Sequence, residues 1–131
     1  MAKFIFHILN FILIIFYIYP GSIMGYLVYN DFSKQPQITL DFMVSSNHVY
    51  AFFLISLVGL IVYFKYNKNF IILYLISISV ILEVLHLIIP ERSFQFSDLF
   101  GNLLGVLIAY CFFKFIKIID KKKLLNLLEK L

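Results

Sequence analysis

The sequence has no tryptophan, one cysteine, three prolines and few charges, with Asp, Glu, Lys and Arg making up 14% of 131 residues. Each shortage excludes something. A single thiol, Cys111, can form no intrachain disulfide, and no zinc-type Cys/His spacing exists. The five glycines form no phosphate-cradling loop and no nucleophile elbow. Without Trp, an interfacial aromatic belt has to be built from the nine tyrosines. The charge content lies well below the roughly one quarter of a soluble domain. What fills the space is apolar: 63% of residues are hydrophobic and the mean hydropathy is +0.97. The composition is that of an all-α, polytopic membrane protein, and the length allows one domain, residues 1–131. In a soluble chain the net charge of +4 would point to nucleic acid. Here the basic residues are accounted for by membrane topology, and no nucleic-acid partner is expected.

Four apolar segments are long enough to be spans. The first, residues 4–29, exceeds the ~20 residues that cross a ~30 Å hydrocarbon core, and Pro20-Gly21 should kink or end it. It is too long for a signal peptide, and no small-residue cleavage pattern follows it, so a helix is expected. A polar, Pro-containing loop occupies residues 30–46. The second span covers residues 48–64, and "KYNKN" (65–69) makes a tight basic turn. The third covers residues 70–89 and is stopped by Pro90. The fourth covers residues 98–115, with Ser97 as its expected N-cap and Asp98 in its first turn. Residues 116–131 place Leu124, Leu125, Leu127, Leu128 and Leu131 on one helical face, largely opposite the lysines. That pattern predicts an amphipathic helix on an anionic leaflet, or else a partner-docking helix.

Nine of the eleven Lys and Arg residues fall on one side of this four-span arrangement; only Lys34 and Arg92 fall on the other. The positive-inside rule then puts both termini and "KYNKN" in the cytoplasm, with loops 30–46 and 90–97 outside.

Against that background the stretch "ILEVLHLIIPERSFQFSDLFGNLLGV" (81–106) is rich in polar groups. Glu83 and His86 are spaced i, i+3 near the outer end of the third span, with Glu83 ~10 Å below it at 1.5 Å per residue. Asp98 and Asn102, spaced i, i+4, share a face in the fourth. His48 opens the second span and Arg92 lies in the outer loop. All six are expected in one layer below the outer surface, as ligand-binding candidates, because intramembrane ionisable groups usually mark sites. Arg92 offers a planar fork to phosphate or carboxylate, and His48 and His86 can exchange protons near neutral pH. His7 and Asn10, near the cytoplasmic end, read as packing residues. Gly101 and Gly105 form a G-x-x-x-G pair, extended by Ala109, that favours close helix packing.

The same residues resemble the motif of the VanZ-like family of bacterial membrane proteins. In "PERSFQFSDLFGNLLG", Arg92, Ser93, Ser97, Asp98, Asn102 and Gly105 fall at the family's offsets. Glu83 matches its Glu, while His86 stands where Gln is usual. "NHVYAFFLI" fits an earlier element through His48, with Val49 replacing Phe and Val44 and Ser45 replacing an Asp-Lys pair. The resemblance covers about residues 45–110. It implies a multi-pass protein of the bacterial inner membrane and cell envelope, in a family named for teicoplanin resistance.

Three functions from different classes follow. The first is binding or handling of an anionic amphiphile at the outer leaflet: a lipid-linked precursor, a phospholipid or a lipoglycopeptide. The second is an intramembrane hydrolase or transferase using Glu83 with His86 or His48 as its acid–base pair. The third is a structural or assembly subunit with a membrane-protein partner or a second copy of the chain. Membrane lipids are expected partners in each case. No cofactor and no metal are expected: His48, Glu83, His86 and Asp98 are suitable ligand types but have no fixed spacing.

Overall fold

The computed structural model describes the backbone of residues 1–128 and the side chains of residues 1–119. It contains four helices and, among the described residues, no strand: α1 (Ala2–Ile18), α2 (Ile23–Tyr29), α3 (Ser46–Leu85) and α4 (Phe96–Leu128). The first apolar segment is therefore two helices, bent by 84°. Pro20 disfavours helical geometry at Tyr19, which is extended (ψ 130°), and Gly21 adopts φ +79°. Ser22 then caps α2, its Oγ accepting the Gly25 N–H at 2.9 Å. Asn30, in the left-handed region, ends it.

The 40-residue α3 is a hairpin. A straight helix would hold His48 and Glu83 roughly 50 Å apart at 1.5 Å per residue, yet their side chains lie 3.8 Å apart. The reversal is at Asn67, the one residue with non-helical angles (φ −153°, ψ 93°). Its Oδ1 accepts the Phe70 N–H at 3.0 Å, capping the second leg. "KYNKN" thus turns the chain with a single extended residue, because one Asn side chain supplies the hydrogen bond that the break removes.

Three boundaries differ from the sequence expectation. The second leg ends at Leu85 rather than Ile89: the N–H groups of His86 and Leu87 bond to carbonyls three residues back, and Pro90 follows. The cap of α4 is not Ser97, which lies inside the helix with its Oγ 3.2 Å from Asp98 Oδ1. Instead the Gln95 carbonyl accepts the N–H groups of Asp98 and Leu99, so α4 opens at Phe96. Finally, α4 runs unbroken past residue 115 to Leu128, so its helix does not stop where the tail was expected to begin. The Leu and Lys faces expected in residues 120–131 lie outside the described residues.

The burial pattern is inverted relative to a soluble bundle. Glu83 and Asn102 are 0% exposed, whereas Leu54, Leu73 and Leu107 are 60%, 65% and 56% exposed. Ser46–Leu85 and Phe96–Ile119 are each long and apolar enough to cross a membrane, as is the bent α1–α2 pair taken together. Inside, Phe52, Leu60, Ile71, Leu75 and Ala109 form the core. α4 lies against the first leg of α3 through its small residues. A Cβ on Gly101 would sit 2.8 Å from Ser45 O, and one on Gly105 only 2.5 Å from Val49 O. Close packing is thus what these two glycines supply.

The two ends of the bundle differ in charge. At one end Lys3 sits over Tyr66, and Lys114 and Lys117 sit over Phe64, beside the Asn67 turn. His7 pairs with Tyr63 at 2.8 Å and Asn10 with Tyr74 toward this end, which fits their expected packing role. Glu83, Asp98 and the other two histidines gather at the opposite end.

Candidate functional site

Five of the six site candidates meet directly. Two legs of α3 and the start of α4 bring His48, Glu83, His86, Asp98 and Asn102 together because the Asn67 reversal returns the chain to its starting height. His48 Nε2 lies 3.5 Å from Asp98 Oδ2, His48 Nδ1 lies 3.8 Å from Glu83 Oε2, and His86 Nδ1 lies 3.3 Å from Glu83 Oε1. Glu83 Oε1 also accepts the Gln95 N–H at 3.1 Å, which ties the third candidate segment to the loop. Its Oε2 is fully buried and accepts no hydrogen bond.

Asn102 is the hub. Its Nδ2 donates to the Ser79 carbonyl at 3.0 Å, so its Oδ1 faces the other way. That oxygen accepts the Tyr17 hydroxyl at 2.7 Å and lies 2.9 Å from His48 Nδ1. An amide oxygen can only accept, so His48 Nδ1 carries a proton. The same logic applies to His86, whose Nε2 is 3.1 Å from the Tyr17 carbonyl and donates to it. Each imidazole therefore turns its other nitrogen toward a carboxylate: His48 Nε2 toward Asp98, and His86 Nδ1 toward Glu83.

Tyr17 was not among the sequence candidates. It is 7% exposed, stacks on His86 with ring centroids 5.6 Å apart, and reaches His48 Nδ1 at 2.9 Å. As one of nine tyrosines it carries no distinguishing pattern; only its place one turn before Pro20 sets it near a helix end. Ser79 is equally silent, since it is used through its carbonyl.

Arg92 behaves differently from a salt-bridge partner. Its Nε donates to Tyr19 O at 3.2 Å and one terminal nitrogen to Phe16 O at 2.9 Å, which caps the C-terminal end of α1. No carboxylate pairs with it among the described residues. Partial burial pulls its pKa below the ordinary value, but a guanidinium stays charged. Beside it lies a cavity of about 380 Å³ between α1, α2, residues 35–38 and the first leg of α3. Leu13, Phe16, Met24 and Leu54 give it apolar walls, and Tyr17, His48, His86 and Arg92 are among its polar lining. Exposed Ile38 and Val28 are at its rim.

Acid and base groups, a guanidinium without a carboxylate partner among the described residues and an apolar cleft thus share one end of the bundle. Compared with protein-family models, curated proteins and solved structures, the chain matches none, so its chemistry is read from this geometry.

Proposed function

We propose that this chain crosses the membrane four times, with both termini and the Asn67 turn in the cytoplasm, and binds an anionic amphiphile at the outer leaflet. The two legs of α3, the bent α1–α2 pair and α4 supply the four crossings. The basic end formed by Lys3, Lys114 and Lys117 supports the orientation, since cytoplasmic ends carry the lysines. The observation that carries the binding reading is the cleft itself. Its walls suit an acyl or prenyl chain, and Arg92, charged and without a carboxylate partner, suits a phosphate or carboxylate head. The resemblance of residues 83–105 to the VanZ-like motif points the same way, toward a molecule of the bacterial envelope.

The experiment is native mass spectrometry of protein released from membranes. Phosphorylated lipids are expected to co-purify with the wild type and be lost from Arg92→Ala; unchanged retention would remove the reading. Single cysteines at Lys34 and Lys68, in a Cys111→Ala background, test the orientation. An impermeant maleimide on intact cells should label the first and spare the second.

An acid–base enzyme is the second reading, favoured by the two imidazole nitrogens that face carboxylates. Equal turnover of lipid substrates by wild type and Glu83→Gln would eliminate it. A purely structural role fits less well, because a closed network would leave neither a cleft nor the orphaned Glu83 Oε2.

A further inference from the structure

Beside the cleft, the buried cluster has an unsolved charge problem. Glu83 and Asp98 bring two carboxylates into a region where His48, Glu83, His86 and Asn102 are each at most 7% exposed. Arg92, the nearest fixed cation, commits its Nε and one terminal nitrogen to the carbonyls of Tyr19 and Phe16 and forms no ion pair with either carboxylate. Both imidazoles have one N–H committed to an acceptor-only oxygen. In their neutral forms each therefore points a lone pair at a carboxylate oxygen, at 3.5 Å for His48–Asp98 and 3.3 Å for His86–Glu83. Lone pairs facing each other in a low-dielectric site repel, so something positive belongs between them. Imidazolium protons would supply it at both pairs; a divalent cation would supply it at the His48–Asp98 pair and neutralise the charge of both carboxylates.

We propose that His48, Glu83 and Asp98 hold a divalent transition-metal ion, Zn²⁺ or Mn²⁺, at the head of the cleft. One ligand atom from each of the three lies within 4.8 Å of the others. An ion bound at ~2.1 Å holds its ligands no more than about 4.2 Å apart, so binding asks for a closure of less than about 1 Å. The remaining features are those of a metal site. Glu83 Oε2 is wholly buried and accepts no hydrogen bond, its contact with His48 Nδ1 being a longer 3.8 Å. His48 is fixed in the tautomer that frees Nε2, through the bond from Nδ1 to Asn102 Oδ1, which is the orienting contact a ligating imidazole ordinarily makes. The donor set of one imidazole and two carboxylates suits Zn²⁺ or Mn²⁺ better than a soft or purely oxygen-seeking ion. Asp98, the least buried ligand with 16% of its side chain exposed, and His48, which lines the cleft, give the ion a route in. Sequence reasoning set metal aside because the ligands have no fixed spacing along the chain; the α3 reversal creates that spacing in space.

The test uses full-length protein in nanodiscs, stripped with EDTA and reloaded with Zn²⁺ or Mn²⁺, followed by elemental analysis and thermal denaturation. One ion per chain is expected, with a Tm that falls on EDTA treatment and recovers on reloading. Glu83→Gln should bind at least roughly 100-fold more weakly, because loss of an orienting partner alone costs about 10–100-fold. Glu91→Gln, an exposed carboxylate outside the cluster, should bind as the wild type. Substoichiometric metal in the wild type together with a Tm indifferent to EDTA would overturn the proposal and leave the imidazolium pairs as the charge solution. Uptake by Glu83→Gln equal to wild type would overturn it as well. If that variant does not fold, the wild-type stoichiometry and EDTA response decide alone.

Discussion

The bond between Tyr17 and Asn102 is the sharpest place to test the site's architecture. Asn102 is completely buried and makes three hydrogen bonds, from the Tyr17 hydroxyl, from His48 Nδ1 and to Ser79 O. In a soluble protein, each buried partner orphaned by Asn102→Ala would cost about 1–3 kcal/mol. The membrane value is smaller: double-mutant cycles in a helical bundle average ~0.6 kcal/mol per side-chain bond, with a maximum of ~1.7. On the proposed membrane reading the smaller figure applies, because an unfolded helix in lipid still finds partners for its polar groups. Hydrogen bonding lost in Asn102→Ala should therefore total about 2 kcal/mol, and no more than about 5. A cycle with Tyr17→Phe separates this from the cavity left by the amide. The coupling energy, measured by reversible unfolding in bicelles, should be about 0.6 kcal/mol and no more than ~1.7. A sum additive to within ~0.3 kcal/mol would mean that the two side chains do not meet, and the hub as described would be wrong.

Three further outcomes follow from the geometry. Gly105→Val would place a Cβ 2.5 Å from Val49 O and 2.9 Å from Phe53 N, both backbone atoms that cannot rotate away. It should lose at least the upper part of the ~1–3 kcal/mol typical of overpacking, while Leu107→Ala on the exposed face should stay within about 0.5; equal Tm values for the two would refute the α3–α4 interface. Arg92→Lys keeps the charge but cannot fork to Phe16 O and Tyr19 O, so hydrogen exchange in residues 19–29 should quicken roughly tenfold per 1.4 kcal/mol lost; unchanged protection would rule out the capping role. In the loop, Asp31 is held below the ordinary carboxylate range, first by the Ser33 hydroxyl and then by its N–H. A lowered folded-state pKa makes this turn's contribution complete above ~4 and lost as pH falls further, so the Ser33 amide resonance should be constant from pH 7 to about 5 and move only in stronger acid.

Much of the site was legible because helical periodicity is strict. Glu83 with His86, and Asp98 with Asn102, share faces by spacing alone, and Pro20, Pro90 and the glycine pair announce their breaks and contact by chemistry that does not depend on context. Other features left no trace in the pattern. Tyr17 is one apolar-looking residue among many, and its partners are an amide and two imidazoles contributed by distant segments. Ser97 looks like a cap and is not one, since the helix opens before it and the Gln95 carbonyl already accepts the N–H groups of Asp98 and Leu99. Arg92, read from the sequence as a fork for an anion, also holds the end of α1, because helix carbonyls left without partners lie nearer than any carboxylate of the described residues.

The sequence by itself determined the material: an all-helical, lipid-suited chain with lysines at one end of its segments and a polar layer at the other. Composition and period suffice for that, because hydrophobicity and helix geometry are local properties. Which nitrogen of each histidine is free, which carboxylate oxygen is orphaned and where the cleft opens were decided only when Asn67 folded α3 back on itself. Those are properties of atoms from four segments meeting at 3–4 Å, and no spacing along one chain encodes them.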